Sequence, residues 1–172
     1  MTLARVRALL VVVTMAALAA SFVLWAILRD SQAKDDPAEQ NCPQGAVPAA
    51  TAVPEPKNMK LNVYNDTDQR GLAKRVAGQL KSRGFKIGKV GNDPDPDPVK
   101  GTALLRFGPD GLGGAHLLRA YFVDADSEPD TRRKGASIDI VLGQQFKQLS
   151  TPSEVNDGLR LLGDPSPPAG MC

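Results

Sequence analysis

The sequence has little of what a metal or catalytic centre is built from. Its 172 residues include one His and two Cys, and the cysteines stand far apart at positions 42 and 172. A structural zinc site needs several Cys or His ligands at short spacing, so a finger or cluster cannot be assembled. One His also leaves little room for Ser-His-Asp or Cys-His catalysis. We therefore predict no metal, no cofactor and no catalytic residue.

A dense field of one charge sign is also missing. The chain has 21 Lys and Arg against 19 Asp and Glu, a formal net charge of +2. Nucleic-acid-binding domains usually carry a strongly basic stripe, so no nucleic-acid partner is predicted. Hydrophobic residues at 42% and charged residues at 23% fit a foldable chain, and this length allows one domain of ordinary size.

One long apolar run is present near the amino terminus. Residues 8–28 are almost wholly apolar, which is long enough for a helix to cross a hydrocarbon core of roughly 30 Å. Trp25, near the distal end, suits the membrane interface. A cleaved signal peptide is the alternative, since residues 17–19 resemble a cleavage site, but the apolar run continues beyond them. We predict an uncleaved single-pass plasma-membrane helix, with residues 1–7 as a cytoplasmic head and residues 29–172 outside the cytoplasm.

The run is followed by a segment that resembles a linker. Residues 29–56 are rich in Pro and Ala and contain no aromatic residue, so they have too little apolar surface to offset their ordering entropy. Cys42 lies in this segment and Cys172 is the last residue. Outside the cytoplasm two thiols usually pair, and the ends of domains often lie close together. A Cys42–Cys172 disulfide is predicted; two free or intermolecular thiols are the alternative.

Residues 57–149 show alternating strand patterns and helical patterns in turn. The order is β-α-β-β-α-β, which predicts a small α/β sandwich with helices packed on a sheet. The polar stretch over residues 124–135 is predicted to be a loop. Residues 150–172 begin with a capping box at Thr151 and Glu154 and are predicted to form a short helix with a Pro-rich tail. The predicted strands cover 60–65, 85–90, 102–107 and 137–143, and the helices 72–83 and 112–123.

Six short motifs stand in this region, at Asn62–Asn65, Gly71–Ala73, Leu80–Phe85, Val90–Asn92, Leu104–Pro109 and Ile138–Gly143 with Phe146. Together they resemble the LytR C-terminal domain family, over about residues 58–148. At Gln144 and Gln145 the sequence departs from the acidic residue that many members carry, so a role of that carboxylate does not carry over. With one transmembrane helix and a Pro/Ala linker, the chain resembles actinobacterial members that support cell envelope integrity. The resemblance implies an extracytoplasmic, non-catalytic envelope protein.

The first helix offers a candidate binding face. Its cations could meet an anionic wall polymer or lipid head groups, and an ordinary solvated face is the alternative. The members of this face are Arg70, Lys74, Arg75, Lys81 and Arg83.

Three other motifs are given structural interpretations. The acidic run over residues 93–97 lacks the Gly and Glu of a calcium loop and is predicted to be a solvated loop. The glycines over residues 108–114 fit no phosphate-binding motif and predict a turn with close helix packing. His116 is predicted to lie on the surface or in the packing.

Three hypotheses of function follow. The first is a non-enzymatic module that binds an envelope component, which could be peptidoglycan, an anionic wall polymer or lipid. The second is a scaffold that recruits another envelope protein. The third is a wall-glycan-modifying enzyme, which needs two suitably placed carboxylates; the sequence shows no recognisable pair.

Overall fold

The computed structural model describes residues 13–21, 25, 42–95 and 97–172. It divides into two compact units, Met1–Asn41 and Cys42–Cys172. In the first unit, residues 13–21 and Trp25 are helical. Among the described residues, none of the helices is both long and apolar enough to cross a membrane. The predicted head, much of the predicted span over 8–28 and the first part of the predicted linker lie outside the described residues.

The described residues of the second unit form a five-stranded sheet in the order β2-β1-β5-β3-β4. Strands β2, β1 and β5 run parallel, β3 is antiparallel to β5, and β4 is parallel to β3. The carboxyl ends of β1, β2 and β5 therefore meet at one edge of the sheet. The strands are β1 (Lys60–Asn65), β2 (Lys86–Asn92), β3 (Ala103–Phe107), β4 (Asp126–Pro129) and β5 (Ile138–Leu142).

The described part of this unit also contains three α-helices, α1 (Leu72–Ser82), α2 (Leu112–Tyr121) and α3 (Pro152–Leu162). The mixed α/β class predicted from the sequence is confirmed, and the predicted β-α-β-β-α-β order is correct up to one missed strand. That strand is β4, which lies in the stretch predicted to be a loop. Its residues are polar and exposed, so the alternation that reveals a half-buried strand is absent.

The core lies between the helices and one face of the sheet. Alternate residues of β1 and β5, such as Leu61, Val63 and Ile140, are fully buried, because successive strand residues point to opposite faces. Helix α1 adds an apolar stripe that ends at Leu80, and α2 contributes Leu118. The opposite face of the sheet carries polar side chains and stays partly exposed.

The two ends of the second unit are joined covalently. Cys42 and Cys172 form a disulfide, with their Cα atoms 5.6 Å apart, which confirms the predicted pairing. Beside it, Val47 N donates to Gly170 O at 2.9 Å and Cys172 N donates to Val47 O at 3.1 Å. Ala50 O accepts from the first turn of α2. The folded unit thus begins at Cys42, and the predicted linker overlaps it from that residue onward.

Helix α3 extends for 11 residues and begins directly after the predicted cap at Thr151. Thr151 Oγ1 accepts from Glu154 N, and the Glu154 carboxylate accepts from Thr151 N at 2.6 Å. The bond from the Thr151 backbone N–H, and next the contact with the Thr151 side chain, lower the pKa of Glu154 below its ordinary range. The capping box satisfies two helix-terminal donors, and Val155 holds the helix against the core.

Candidate functional site

The exposed side of α1 carries cations without carboxylates. The helix buries its apolar stripe from Leu72 to Leu80, which leaves Lys74, Arg75 and Lys81 in solvent. Helix α1 contains no Asp or Glu. Within the described residues, none of these three cations forms an ion pair. No acidic side chain in the described part of the chain pairs with these cations, so they are free to attract anions from solution.

Arg70 stands just before α1, at the end of a loop that Asn65 organises. Asn65 Nδ2 donates to Thr67 O and to Gln69 O, both at 3.1 Å, while Thr67 Oγ1 donates to Asn65 Oδ1 at 2.9 Å. Gly71 then takes a φ of 76°, a left-handed conformation that glycine adopts without a Cβ clash. This internally bonded loop fixes where Arg70 and the start of α1 lie.

A groove of about 350 Å³ lies at the carboxyl ends of the parallel strands, where Asn65, Asn92, Gln144 and Arg70 line it. Open α/β sheets commonly bind ligands in this position. Gln144 Nε2 donates to Asp66 O at 2.9 Å, and this bond joins two residues that line the groove. An ionised carboxylate could not donate that bond, which gives the departure from the resembled family's acidic residue a structural role here.

Arg83 differs from the rest of the predicted basic face. Its Nη1 donates to Ser150 O at 2.6 Å, and its guanidinium carbon lies 5.5 Å from the centre of the Tyr121 ring. The side chain is half-buried. Arg83 thus joins the end of α1 to the segment before α3, whereas Arg70, Lys74, Arg75 and Lys81 are exposed.

Further cations on β1 and β2 were missed by the sequence reasoning. Lys60 and Lys86 are partners in the parallel register of β1 and β2, and both are exposed, as is Lys89. Helix α1 packs against β1 and β2, and β2 is an edge strand. Because Leu61 points to the helices, Lys60 and its register partner Lys86 project from the opposite, polar face of the sheet and are separate from the α1 cations. The sequence signal that could have revealed these cations is the lysine at or next to the start of each strand pattern, at positions 60 and 86.

Around β3 and β5 the polar face of the sheet carries charges that are paired with one another. Arg106 Nη1 donates to both oxygens of Asp93 at 3.0 Å, and Arg106 also contacts Asp95 and Glu128. Burial lowers the pKa of Arg106, but its hydrogen bonds with Glu128 and Asp93 raise it by more. The acidic run over residues 93–97 was predicted to be a solvated loop. Instead, the Asp93 side chain is 1% exposed and forms an ion pair with Arg106.

A second paired cluster lies on the same face. Asp139 accepts from Asn62 Nδ2 at 2.7 Å and from Arg133 Nη2 at 2.9 Å. Burial raises the pKa of Tyr64, and the negative charges of Asp139 and Asp93 raise it further, while Arg133 opposes them. Asp93 and Asp139 are thus each bound to an arginine within the domain.

The glycines and His116 have packing roles, as predicted. A Cβ on Gly113 would collide with the carbonyl oxygen of Ala52, and one on Gly114 would lie 2.9 Å from Ile138 Cδ1. His116 is buried, and its Nε2 lies 2.9 Å from Gly163 O. Over the described residues, no group of three or more His, Cys, Asp or Glu side chains is placed to hold a metal ion.

Comparison with known proteins places these features in a family. A family model described as "LytR cell envelope-related transcriptional attenuator" matches residues 58–146. These residues include β1, α1, the whole sheet and the Asn65 loop. No curated protein matches the chain at a significant level.

One solved structure similar to this chain is the soluble domain, residues 71–217, of a conserved hypothetical secreted protein from Mycobacterium marinum, described as an Rv2700 ortholog. The two are 26% identical, with a TM-score of 0.55. The alignment covers 70% of this chain and 82% of the other. The likeness therefore extends over most of the Cys42–Cys172 unit.

Proposed function

Because its residues 58–146 match the family model, the chain belongs to the LytR C-terminal domain family, and we propose that it is a non-enzymatic module that binds an anionic component of the cell envelope. The α1 cations carry this proposal. A surface whose cations have no acidic partners attracts polyanions and raises their local concentration. Phosphate and carboxylate groups of a wall polymer, or phosphate head groups of a lipid, provide the complementary charge.

The proposed compartment is outside the cytoplasm. Disulfides persist in oxidising compartments, and the Cys42–Cys172 bridge supports such a location. The similar M. marinum protein is described as secreted, and the family description refers to the cell envelope. In this proposal residues 8–28 anchor the chain in the plasma membrane, with the amino terminus in the cytoplasm.

The proposal can be tested by co-sedimentation with purified cell-wall sacculi and with anionic lipid vesicles. The full chain in detergent micelles is compared with the Arg75→Glu/Lys81→Glu variant. A Lys100→Glu/Lys134→Glu variant changes the net charge equally at exposed positions outside α1. We expect the α1 variant to lose retention and the control to keep it. Sacculi that retain the chain would identify a wall polymer, and vesicles a lipid.

The response to salt gives a second measurement. Screening between exposed charges becomes strong as the Debye length falls from about 10 Å at 0.1 M to about 3 Å at 1 M. Retention through α1 should therefore fall steeply as salt is added. Equal retention of the two double variants, or retention that salt leaves unchanged, would contradict binding through α1.

The scaffold alternative has one specific observation in its favour. A groove of about 470 Å³ between α2 and α3 is lined largely by apolar atoms, and Leu161 at its border is 88% exposed. Such a surface suits an apolar protein partner better than a polyanion. Under this alternative, Leu161→Glu would abolish partner capture while the Arg75→Glu/Lys81→Glu variant would retain it.

A further inference from the structure

The loop between β5 and α3 forms one wall of a second cleft. It encloses about 600 Å³, and its lining includes Thr102, Val123, Asp124, Gln145, Gln148 and Ser150. Small-molecule sites in proteins commonly measure roughly 300–1,000 Å³. Arg70, Lys74, Arg75 and Lys81 are not among the lining residues, so the cleft differs from the basic face proposed above.

Ser150 gives the cleft an unpartnered polar group. The residue is 4% exposed, and its hydroxyl has no hydrogen-bond partner in the described part of the chain. A buried polar atom without a partner costs free energy. Ser150 lies at the end of the cleft-lining loop, just before α3, where its backbone is held by Arg83 and by a bond from Ser150 N to Tyr121 O. The hydroxyl oxygen itself has less than 1 Å² of exposed surface, so it lies beside the cleft without a partner and meets a ligand there once the side chain turns about χ1.

Neighbouring side chains of the cleft also keep their hydrogen-bonding capacity. Gln145 and Gln148 are exposed, and neither side-chain amide is bonded to another described residue. This contrasts with the strand-end groove, where Asn65 and Gln144 bond to their own loop. An amide offers both donors and an acceptor, so two amides and a hydroxyl can meet a ligand that has both kinds of group.

The opposite wall has a constrained backbone. Asp124 has a φ of 57°, the one non-glycine residue with positive φ in the described chain. This left-handed conformation is uncommon, although Asp tolerates it better than most residues. It turns the chain after α2 and places the exposed Asp124 and Val123 on the cleft. The wall therefore presents a carboxylate acceptor next to an apolar surface.

The backbone of the loop indicates which ligand class fits. Gln144 N donates to Val99 O, Gln145 N to Gly101 O and Phe146 N to Gly143 O. These amides are occupied, so this stretch offers no ladder to an extended peptide, which is the usual means of peptide recognition at a sheet. At residues 144–146 recognition must therefore use side chains, and the side-chain amides of the loop favour a ligand rich in hydroxyl and amide groups.

Charge argues against an anion in this cleft. Lys147 is balanced by Asp124 and Glu154, so no excess of positive charge attracts an acidic group. We propose that the cleft binds an uncharged saccharide that bears acetamido groups. The Gln amides would pair with the acetamido groups, the Ser150 hydroxyl would pair with a sugar hydroxyl, and Val123 would contact the apolar face of a ring.

The test titrates the full chain, isotopically labelled and in detergent micelles, with the tetramer of N-acetylglucosamine and follows binding by NMR. Ser150→Ala and Gln148→Ala should each lower the affinity by about tenfold, the loss expected when one hydrogen bond is removed. Ser153→Ala and Gln79→Ala are matched controls, since both residues are exposed and outside the cleft. Their affinities should equal that of the parent chain.

Two readouts keep the result independent of folding and of the α1 proposal. Ser150→Ala should retain the thermal stability of the parent chain, because it removes an unsatisfied polar atom. Affinity for the uncharged tetramer should not change with salt, unlike retention by α1. No saturable shift of cleft resonances would overturn the proposal, as would equal affinity of the Ser150→Ala and Gln148→Ala variants and the parent. Equal binding of a glucose tetramer would overturn the recognition of acetamido groups.

Discussion

Asp93 and Arg106 form a buried ion pair that connects the loop after β2 to the middle of β3. Both oxygens of Asp93 accept from Arg106 Nη1 at 3.0 Å, and the two side chains are 1% and 15% exposed. Residues 13 apart in sequence are joined in this way, so the Pro-rich loop is held against the polar face of the sheet.

Removing the guanidinium of Arg106 should lower the free energy of unfolding, because the buried Asp93 carboxylate then has no charged partner. Arg106→Met leaves Asp93 buried without its partner, and we expect a loss of about 3–5 kcal/mol in the free energy of unfolding. Arg106→Met combined with Asp93→Asn should recover part of that loss, since the unpaired charge is gone. Urea unfolding of the two single variants and the double variant measures the coupling. Arg132→Met, which breaks an exposed pair, should change stability little; a loss equal to that of Arg106→Met would contradict the role of burial.

Tyr64 should make stability depend on alkaline pH. Burial, and then the charge of Asp139, raise its pKa in the folded state, while in the unfolded chain it ionises near its ordinary value of about 10. The contribution of the protonated Tyr64 phenol to stability is therefore fully present below about pH 10. It is lost as the pH rises through the folded-state pKa of Tyr64. Unfolding measured across this range should show a smaller decline in Tyr64→Phe.

Phenolate absorbance gives the same test at the level of the single group. The chain has two tyrosines, so Tyr121→Phe leaves Tyr64 as the one phenol. We expect the Tyr121→Phe variant to retain a phenol that titrates above the ordinary range, because burial and the charge of Asp139 raise the pKa of Tyr64. An ordinary titration of Tyr64 in the Tyr121→Phe variant would refute the shift.

The disulfide should contribute strongly to stability because it closes a long loop. Cys42 and Cys172 are 130 positions apart, and in the chain-entropy account loops of this size are worth about 4–5 kcal/mol. Reduction should lower the melting temperature of the parent chain and leave that of Cys42→Ser/Cys172→Ser unchanged. A parent chain that migrates identically with and without reductant in gel electrophoresis would show that the bridge does not form.

Two glycine substitutions should have opposite effects on stability. A Cβ on Gly113 meets the backbone of Ala52, whereas one on Gly78 in α1 meets nothing within 4 Å. Gly113→Ala must displace either α2 or the segment over residues 42–56 that contains Ala52. We expect a loss of about 1–3 kcal/mol in the free energy of unfolding. Gly78→Ala should gain about 0.5–1 kcal/mol from the better helix propensity of Ala. Chemical denaturation of the two variants checks both signs.

Periodic elements could be predicted from the sequence, and elements formed by tertiary pairing could not. Strand β1 can be predicted from its alternating apolar residues, and helix α1 from apolar residues that recur every four positions. Strand β4 has no such pattern, because it is an edge strand whose side chains all face solvent. It exists through its backbone ladder with β3 and through Glu128, which is the register partner of Arg106 and contacts it at 2.9 Å.

The same reasoning explains the amino-terminal segment and the basic face. Residues 42–56 have the composition of a linker, but their order comes from backbone bonds to residues 170–172 and to Pro109, which composition does not encode. The α1 cations could be identified from helical spacing alone. The different role of Arg83 could not, because it depends on Ser150 and Tyr121, which are distant in sequence.

The covalent junction at Cys42 has a mechanical consequence. A pulling force applied through the residues before Cys42 divides between two covalent paths, one through the chain toward β1 and one through Cys172 toward α3. The short ladder beside the bridge, from Val47 to Cys172, lies within the closed loop and is shielded from direct tension. Without the bridge the whole load would pass through the amino-terminal segment and peel it from α2. The domain is thus built to stay folded when tension is applied through the residues before Cys42.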